Sequence, residues 1–191
     1  MTLALAASAH AADKVRVCVN SSPHVPAFVL ARAEFVSSRM LATAGVALEW
    51  RSAAPAICQG PQQTRTVVLD VTTNTPPSES PGALAYALPY GHVHLVVLFD
   101  RIEKSVDRPT QLSPLLAHVM THEITHLLQG TSRHSKTGVM KAHWDADDLW
   151  QMAYKPLAFT PEDIDLIQRG LHSQAAGPAS AAPSSCTAEA H

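Results

Sequence analysis

Two histidines four residues apart with a glutamate beside the first, His122-Glu123-Ile124-Thr125-His126, form the pattern in this sequence that most directly implies chemistry. On a helix, four residues advance by about 400°, so both imidazoles point roughly the same way one turn apart and can share one metal ion. Glu123 lies about 100° round from His122, placed to act on a water at the metal without ligating it, as a general base in metal-assisted hydrolysis requires. In a chain with 11 histidines, random order would give this pattern only about 0.02 times. A catalytic zinc ion takes three protein ligands and keeps one position for water. The best third candidate is His134, reached through Gly130, because a glycine can turn the chain sharply out of a helix and bring the following residues back. His143 or Asp145 is the reserve third ligand, and His118, one turn before His122, reads as a rim or supporting histidine.

These residues need a helix beneath them, and the sequence supplies one. Ser113 followed by Pro114 is a capping side chain before a first-turn proline, Leu115, Leu116, Val119, Leu127 and Leu128 give a buried side, and Gly130 marks the stop. Upstream, Val15, Val17 and Val19 alternate as a strand. Val29, Ala33, Val36 and Met40 form a helical stripe ending near Gly45, and Val46, Leu48 and Trp50 alternate again. Further strands are expected at Thr66 to Val71, Ala83 to Leu88 and His92 to Phe99, with a turn-rich segment between the first two. Shorter helices are expected at Ala146 to Ala153 and Pro161 to Leu171, the latter capped by Thr160. The whole predicts an α/β domain over residues 13–172, a mixed five-stranded sheet with one long helix, an active-site helix and C-terminal helices.

Composition excludes some functions. The 191-residue chain is 46% hydrophobic, enough for one folded domain, and a net charge of -2 provides no footprint for nucleic acid. No apolar run reaches the ~20 residues of a membrane span. Residues 1–12 are apolar and Ala-rich with A-x-A patterns, as at the end of a secretory leader, which predicts a secreted or periplasmic protein. Residues 173–191, rich in Ala, Ser and Pro, are expected to be a disordered tail. Cys18 and Cys58 are either a bridge or two ordinary buried thiols, with Cys186 alone in the tail.

The order of parts from His122 through Gly130 and His134 to Val139-Met140 resembles the metzincin clan of zinc peptidases, whose pattern is HExxHxxGxxH followed by a methionine-bearing turn. Here the pattern is HExxHxxxGxxxH, with one added residue before Gly130 and one before His134. The stretches VPAFVLARAEFVSSRMLATAGVALEW, VVLFDRIE and HSKTGVMKAHWDADDLWQMAYKPLAFTPED are also similar to uncharacterised bacterial secreted proteins with HELGHLLLG-type motifs, over roughly Val15 to Leu171. The resemblance implies a zincin-like fold, one catalytic Zn2+ on His122, His126 and His134, Glu123 as base, and Met140 as the turn methionine. Trp144 reads as core packing rather than a substrate-pocket wall.

The expected function is a zinc metalloendopeptidase acting on peptides or proteins. A catalytically idle zinc-binding module and an amidase on cell-wall peptides are the rivals; Glu123 argues against the first, since binding alone needs no carboxylate beside a ligand.

Overall fold

The computed structural model describes residues 12–52, 58, 65–88, 94–175 and 189–190. The alternating valines of β1 (Asp13–Ser21) all turn inward: Val15, Val17 and Val19 are buried. α1 (Ala27–Ala42) follows, and β2 (Val46–Ser52) returns parallel to β1, with Val17 opposite Trp50. β3 (Arg65–Thr72), β4 (Ala85–Ala87) and β5 (His94–Leu98) complete a sheet of order β2-β1-β3-β5-β4, parallel except for β4 at the edge. This is the mixed five-stranded sheet that the hydrophobic alternation predicted. Cys18, buried on β1, is disulfide-bonded to Cys58.

The differences from expectation are local. The helical stripe of α1 runs through Ser37 rather than Val36, because the Ser37 hydroxyl finds partners on the neighbouring helix: Oγ donates to the Ala117 carbonyl at 2.9 Å and lies 2.8 Å from Thr121 Oγ1. Gly45, at φ 78°, stands two residues beyond the Thr43 cap. β4 is shorter than the predicted strand, since Ala83 and Leu84 are buried but precede the paired residues. β5 stops before Phe99, where the short helix α2 (Phe99–Lys104) begins, with Phe99 and Ile102 at a helical spacing of three on its buried side.

The central helix α3 (Leu112–Gln129) starts one residue before Ser113, after a single 3-10 turn at Pro109–Gln111, and no side chain caps it. Pro114 therefore occupies the third position instead of the first, still within the turn whose N–H groups a helix leaves unpaired, so its missing donor costs nothing. α1 lies against α3, as do α4 (Ala146–Tyr154) and α5 (Pro161–Ala175). Along α3 every residue from Leu115 to His126 is buried.

α5 continues to Ala175, past the predicted start of the tail. Near the chain end, β7 (Glu189–Ala190) pairs in parallel with β6 (His143–Trp144). Residues 176–188 and 191, and the leader-like residues 1–11, lie outside the described residues, so the expectations for tail and leader largely fall there.

Candidate metal centre

α3 carries His122 and His126 one turn apart, and the chain leaves it at Gly130, whose φ of 65° is the left-handed conformation a glycine adopts without strain. The Gly130 N–H bonds the His126 carbonyl at 2.9 Å. A loop then returns past the site, closed by Ser135 N–H to the Met140 carbonyl at 2.7 Å. This brings His134 to the two helical histidines. Ring centroids are 4.6 Å apart for His122 and His126, 5.2 Å for His122 and His134, and 4.9 Å for His126 and His134. One nitrogen from each ring lies within 4.8 Å of the others, a group able to hold a metal ion.

Hydrogen bonding fixes which nitrogens face the centre. His122 Nδ1 lies 2.9 Å from the Val139 carbonyl, and His126 Nδ1 lies 2.9 Å from the Thr131 carbonyl. A carbonyl oxygen can only accept, so each Nδ1 carries the proton and each neutral ring presents a bare Nε2. Those two Nε2 atoms are 2.9 Å apart. Neither can donate to the other, because burial holds His122 well below the ordinary histidine value, helped by His126, and pushes His126 down to about 4. His134 is also lowered, by burial first and by His143 second. Its Nε2 is buried without a hydrogen-bond partner among the described residues. Two facing lone pairs and a third orphaned nitrogen repel one another unless a cation lies among them, and three neutral imidazoles are the donor set a catalytic zinc takes. The residues present therefore fit the metal.

Glu123 follows His122 on α3 and is 1% exposed. Trp144 is 1% exposed, as a packing residue should be, and meets the His122 and His118 rings edge to face at centroid distances of 5.5 and 6.3 Å. His118 is a buried strut: its Nδ1 donates to the Pro114 carbonyl at 2.6 Å and its Nε2 accepts from Leu157 N–H at 2.9 Å, while burial lowers it to about 4. Met140 is fully buried beside the loop closure. Of the reserve ligands, Asp145 caps α4 through Asp147 and Asp148 N–H and pairs with Lys141 at 2.6 Å, and His143 is exposed. Neither belongs to the three-histidine group.

Sequence reasoning met Val139 only as the residue before Met140 and passed over Thr131, though their carbonyls orient the two helical rings, because a backbone acceptor leaves no trace in residue type. It also passed over Asp163, which is 1% exposed and accepts from Thr160 and Ser135. The available signal was Thr160 three residues before Asp163 at a helix start, a capping-box pattern.

No protein-family model matches the chain, and no curated protein matches it. Among solved structures it is similar to archaemetzincin from Methanopyrus kandleri, at 18% identity and a TM-score of 0.55, over 83% of this chain and 96% of that one. It is also similar to a zinc-dependent peptidase from Methanocorpusculum labreanum, at 14% identity and a TM-score of 0.56, over 79% of this chain and 99% of that one. At these identities the likeness is one of fold, and it spans nearly the full length of both neighbours.

Proposed function

We propose that this chain is a zinc-dependent metalloendopeptidase with the HExxH arrangement of a divergent metzincin. The observation that carries the reading is the convergence of three imidazoles, two from a helix that also bears Glu123, with bare Nε2 atoms 2.9 Å apart, and the third from the loop that follows it. The two structural neighbours described as an archaemetzincin and a zinc-dependent peptidase support it.

Zinc held by His122, His126 and His134 would supply a Lewis acid that polarises the scissile carbonyl and acidifies the attacking water. The remaining work belongs to the protein. Glu123 takes the proton from that water as it attacks and delivers it to the departing amine, so one carboxylate serves both halves of the reaction. The Val139 and Thr131 carbonyls hold the helical rings in the tautomer that leaves Nε2 free. Trp144, itself buried, packs edge-on against the His122 ring. Met140 takes the role of the turn methionine, a buried residue whose carbonyl closes the loop that bears His134.

Export to a secreted or periplasmic location is part of the reading, supported by the leader-like residues 1–12 and by the Cys18–Cys58 bridge, since oxidising compartments preserve disulfides. Mass spectrometry of unreduced exported protein would show that bridge and a processed N-terminus; an intact Met1 would count against export.

Glu123→Gln tests the mechanism. The variant should keep one equivalent of zinc while hydrolysis of a mixed peptide library drops by at least ~100-fold, because the base is lost and no ligand is. Unchanged turnover would remove Glu123 from the reaction. Hydrolysis confined to cell-wall peptides would favour the amidase reading.

A further inference from the structure

We infer that Asp163, a carboxylate on a different helix from the histidines, is the positioning residue for His134. This rests on reading His134 as the third metal ligand.

The two oxygens of Asp163 do different things. Oδ2 accepts from Thr160 N–H at 2.9 Å and from Thr160 Oγ1 at 2.7 Å, while Asp163 N–H lies 3.2 Å from Thr160 Oγ1, a reciprocal cap at the start of α5. That cap needs only one oxygen. Oδ1 accepts from Ser135 Oγ at 2.5 Å and lies 3.6 Å from Arg133 Nη1. Arg133 and Ser135 are the residues on either side of His134, so Asp163 is hydrogen-bonded to one flank of the loop histidine and ion-paired with the other, which Glu162 also holds at 2.5 Å through Arg133 Nη2.

Burial makes the arrangement more than a surface contact. Asp163 is 1% exposed, and a carboxylate so placed is costly unless its lone pairs are filled. Capping residues ordinarily remain in water, where the cap is just as good. Here the carboxylate oxygen turned toward the loop accepts from the Ser135 hydroxyl, a stronger tie than a neutral hydroxyl pair provides. The same helix start is tied to α3, because Gln129 Nε2 donates to the Asp163 carbonyl at 3.2 Å. Asp163 thus joins the end of the helix carrying two imidazoles to the loop carrying the third. Nothing comparable restrains His134 through its own ring, whose Nε2 has no hydrogen-bond partner among the described residues. Beyond its contacts with the His122 and His126 rings, the position of that ring depends on its backbone, and its backbone is held from both sides.

The test measures zinc affinity of the full chain by chelator competition, with the melting temperature of the metal-free protein recorded alongside. Ser135→Ala removes the bond to Oδ1 and leaves the Thr160 cap. It should weaken zinc about 10-fold, the lower end for partners that orient ligands. In a His134→Ala background the same change should have no effect on affinity, because the residue it positions is gone. Thr160→Val should lower the melting temperature of the metal-free protein yet leave zinc affinity within about two-fold of wild type. Arg133→Met repeats the measurement from the other flank should Ser135→Ala fail to fold. Equal weakening by Ser135→Ala with and without His134 would overturn the inference, as would no weakening at all. If His134→Ala alone binds zinc as tightly as wild type, the ligand assignment fails instead, and the inference with it.

Discussion

The candidate metal centre is assembled from two regions held by opposite means. His122 and His126 belong to α3, where every residue from Leu115 to His126 is buried and one helical turn sets their spacing. His134 belongs to a loop between Gly130 and Met140, is only partly buried, and is held through contacts to residues far along the chain: Val139 N–H to the Ala158 carbonyl at 3.1 Å, and Ser135 to Asp163. Helix periodicity is local physics and needs nothing else to place two imidazoles side by side. A loop ligand has no periodicity to rely on and takes its position from the elements packed behind it.

Removing each imidazole in turn breaks this comparison most sharply. His122→Ala or His126→Ala should abolish stoichiometric zinc binding, because each deletes a first ligand from a preformed helical pair. His134→Ala should weaken zinc far more than His143→Ala or Asp145→Ala, read by metal analysis after dialysis against a weak chelator. A full equivalent of zinc in the His122 or His126 variant would sink the site altogether. Equal effects at His134 and His143 would sink only the loop half.

The same division explains what the sequence disclosed. The helix over residues 113–129, its stop at Gly130 and the alternating strands were legible because each rests on a short-range pattern: Val15, Val17 and Val19 inward, Leu115, Leu116 and Val119 on a buried side. The mixed five-stranded sheet followed from those elements. The helix at Phe99–Lys104 was not legible, since a strand expected to run into Phe99 obscured a six-residue helix defined by tertiary burial of Phe99 and Ile102. Three histidines could be proposed as ligands from the motif and the glycine, yet the carbonyls of Val139 and Thr131 and the buried carboxylate of Asp163 depend on contacts across 17, 5 and 28 residues. Only the fold reveals those.

A smaller effect concerns the helix half, whose packing depends on imidazoles kept neutral. Burial lowers His118 from 6.5 to about 4, so unfolding allows it to take up a proton throughout the interval between. Its contribution to stability is therefore complete above about pH 6.5 and is lost as pH falls toward 4, on the order of 3 kcal/mol in all. Denaturant unfolding of metal-free wild type and His118→Gln across this range isolates the effect. The stability difference between them should be flat above pH 6.5 and should move against wild type as the pH drops. A difference constant down to pH 4 would mean that His118 is not buried as a neutral ring.

The loop half is sharpened by its two glycines, which adopt the same left-handed backbone for different reasons. Gly138, at φ 80°, also passes so close to the next segment that a Cβ would stand 2.2 Å from the Ala158 carbonyl oxygen. Gly130, at φ 65°, would have nothing within 4 Å of an added Cβ. Alanine at Gly138 thus meets both backbone strain and a collision with main chain that cannot swing aside, costing roughly 2–3 kcal/mol. It should also loosen zinc, because Val139, whose carbonyl orients His122, must move with it. Alanine at Gly130 meets the strain alone, about 1 kcal/mol. Since the end of α3 stays open to solvent on that side, zinc affinity should hold within a few-fold. Thermal unfolding and chelator competition on the two variants distinguish these cases. If Gly130→Ala loosens zinc as much as Gly138→Ala does, the loop is positioned by its exit angle from α3 and not by the elements packed behind it.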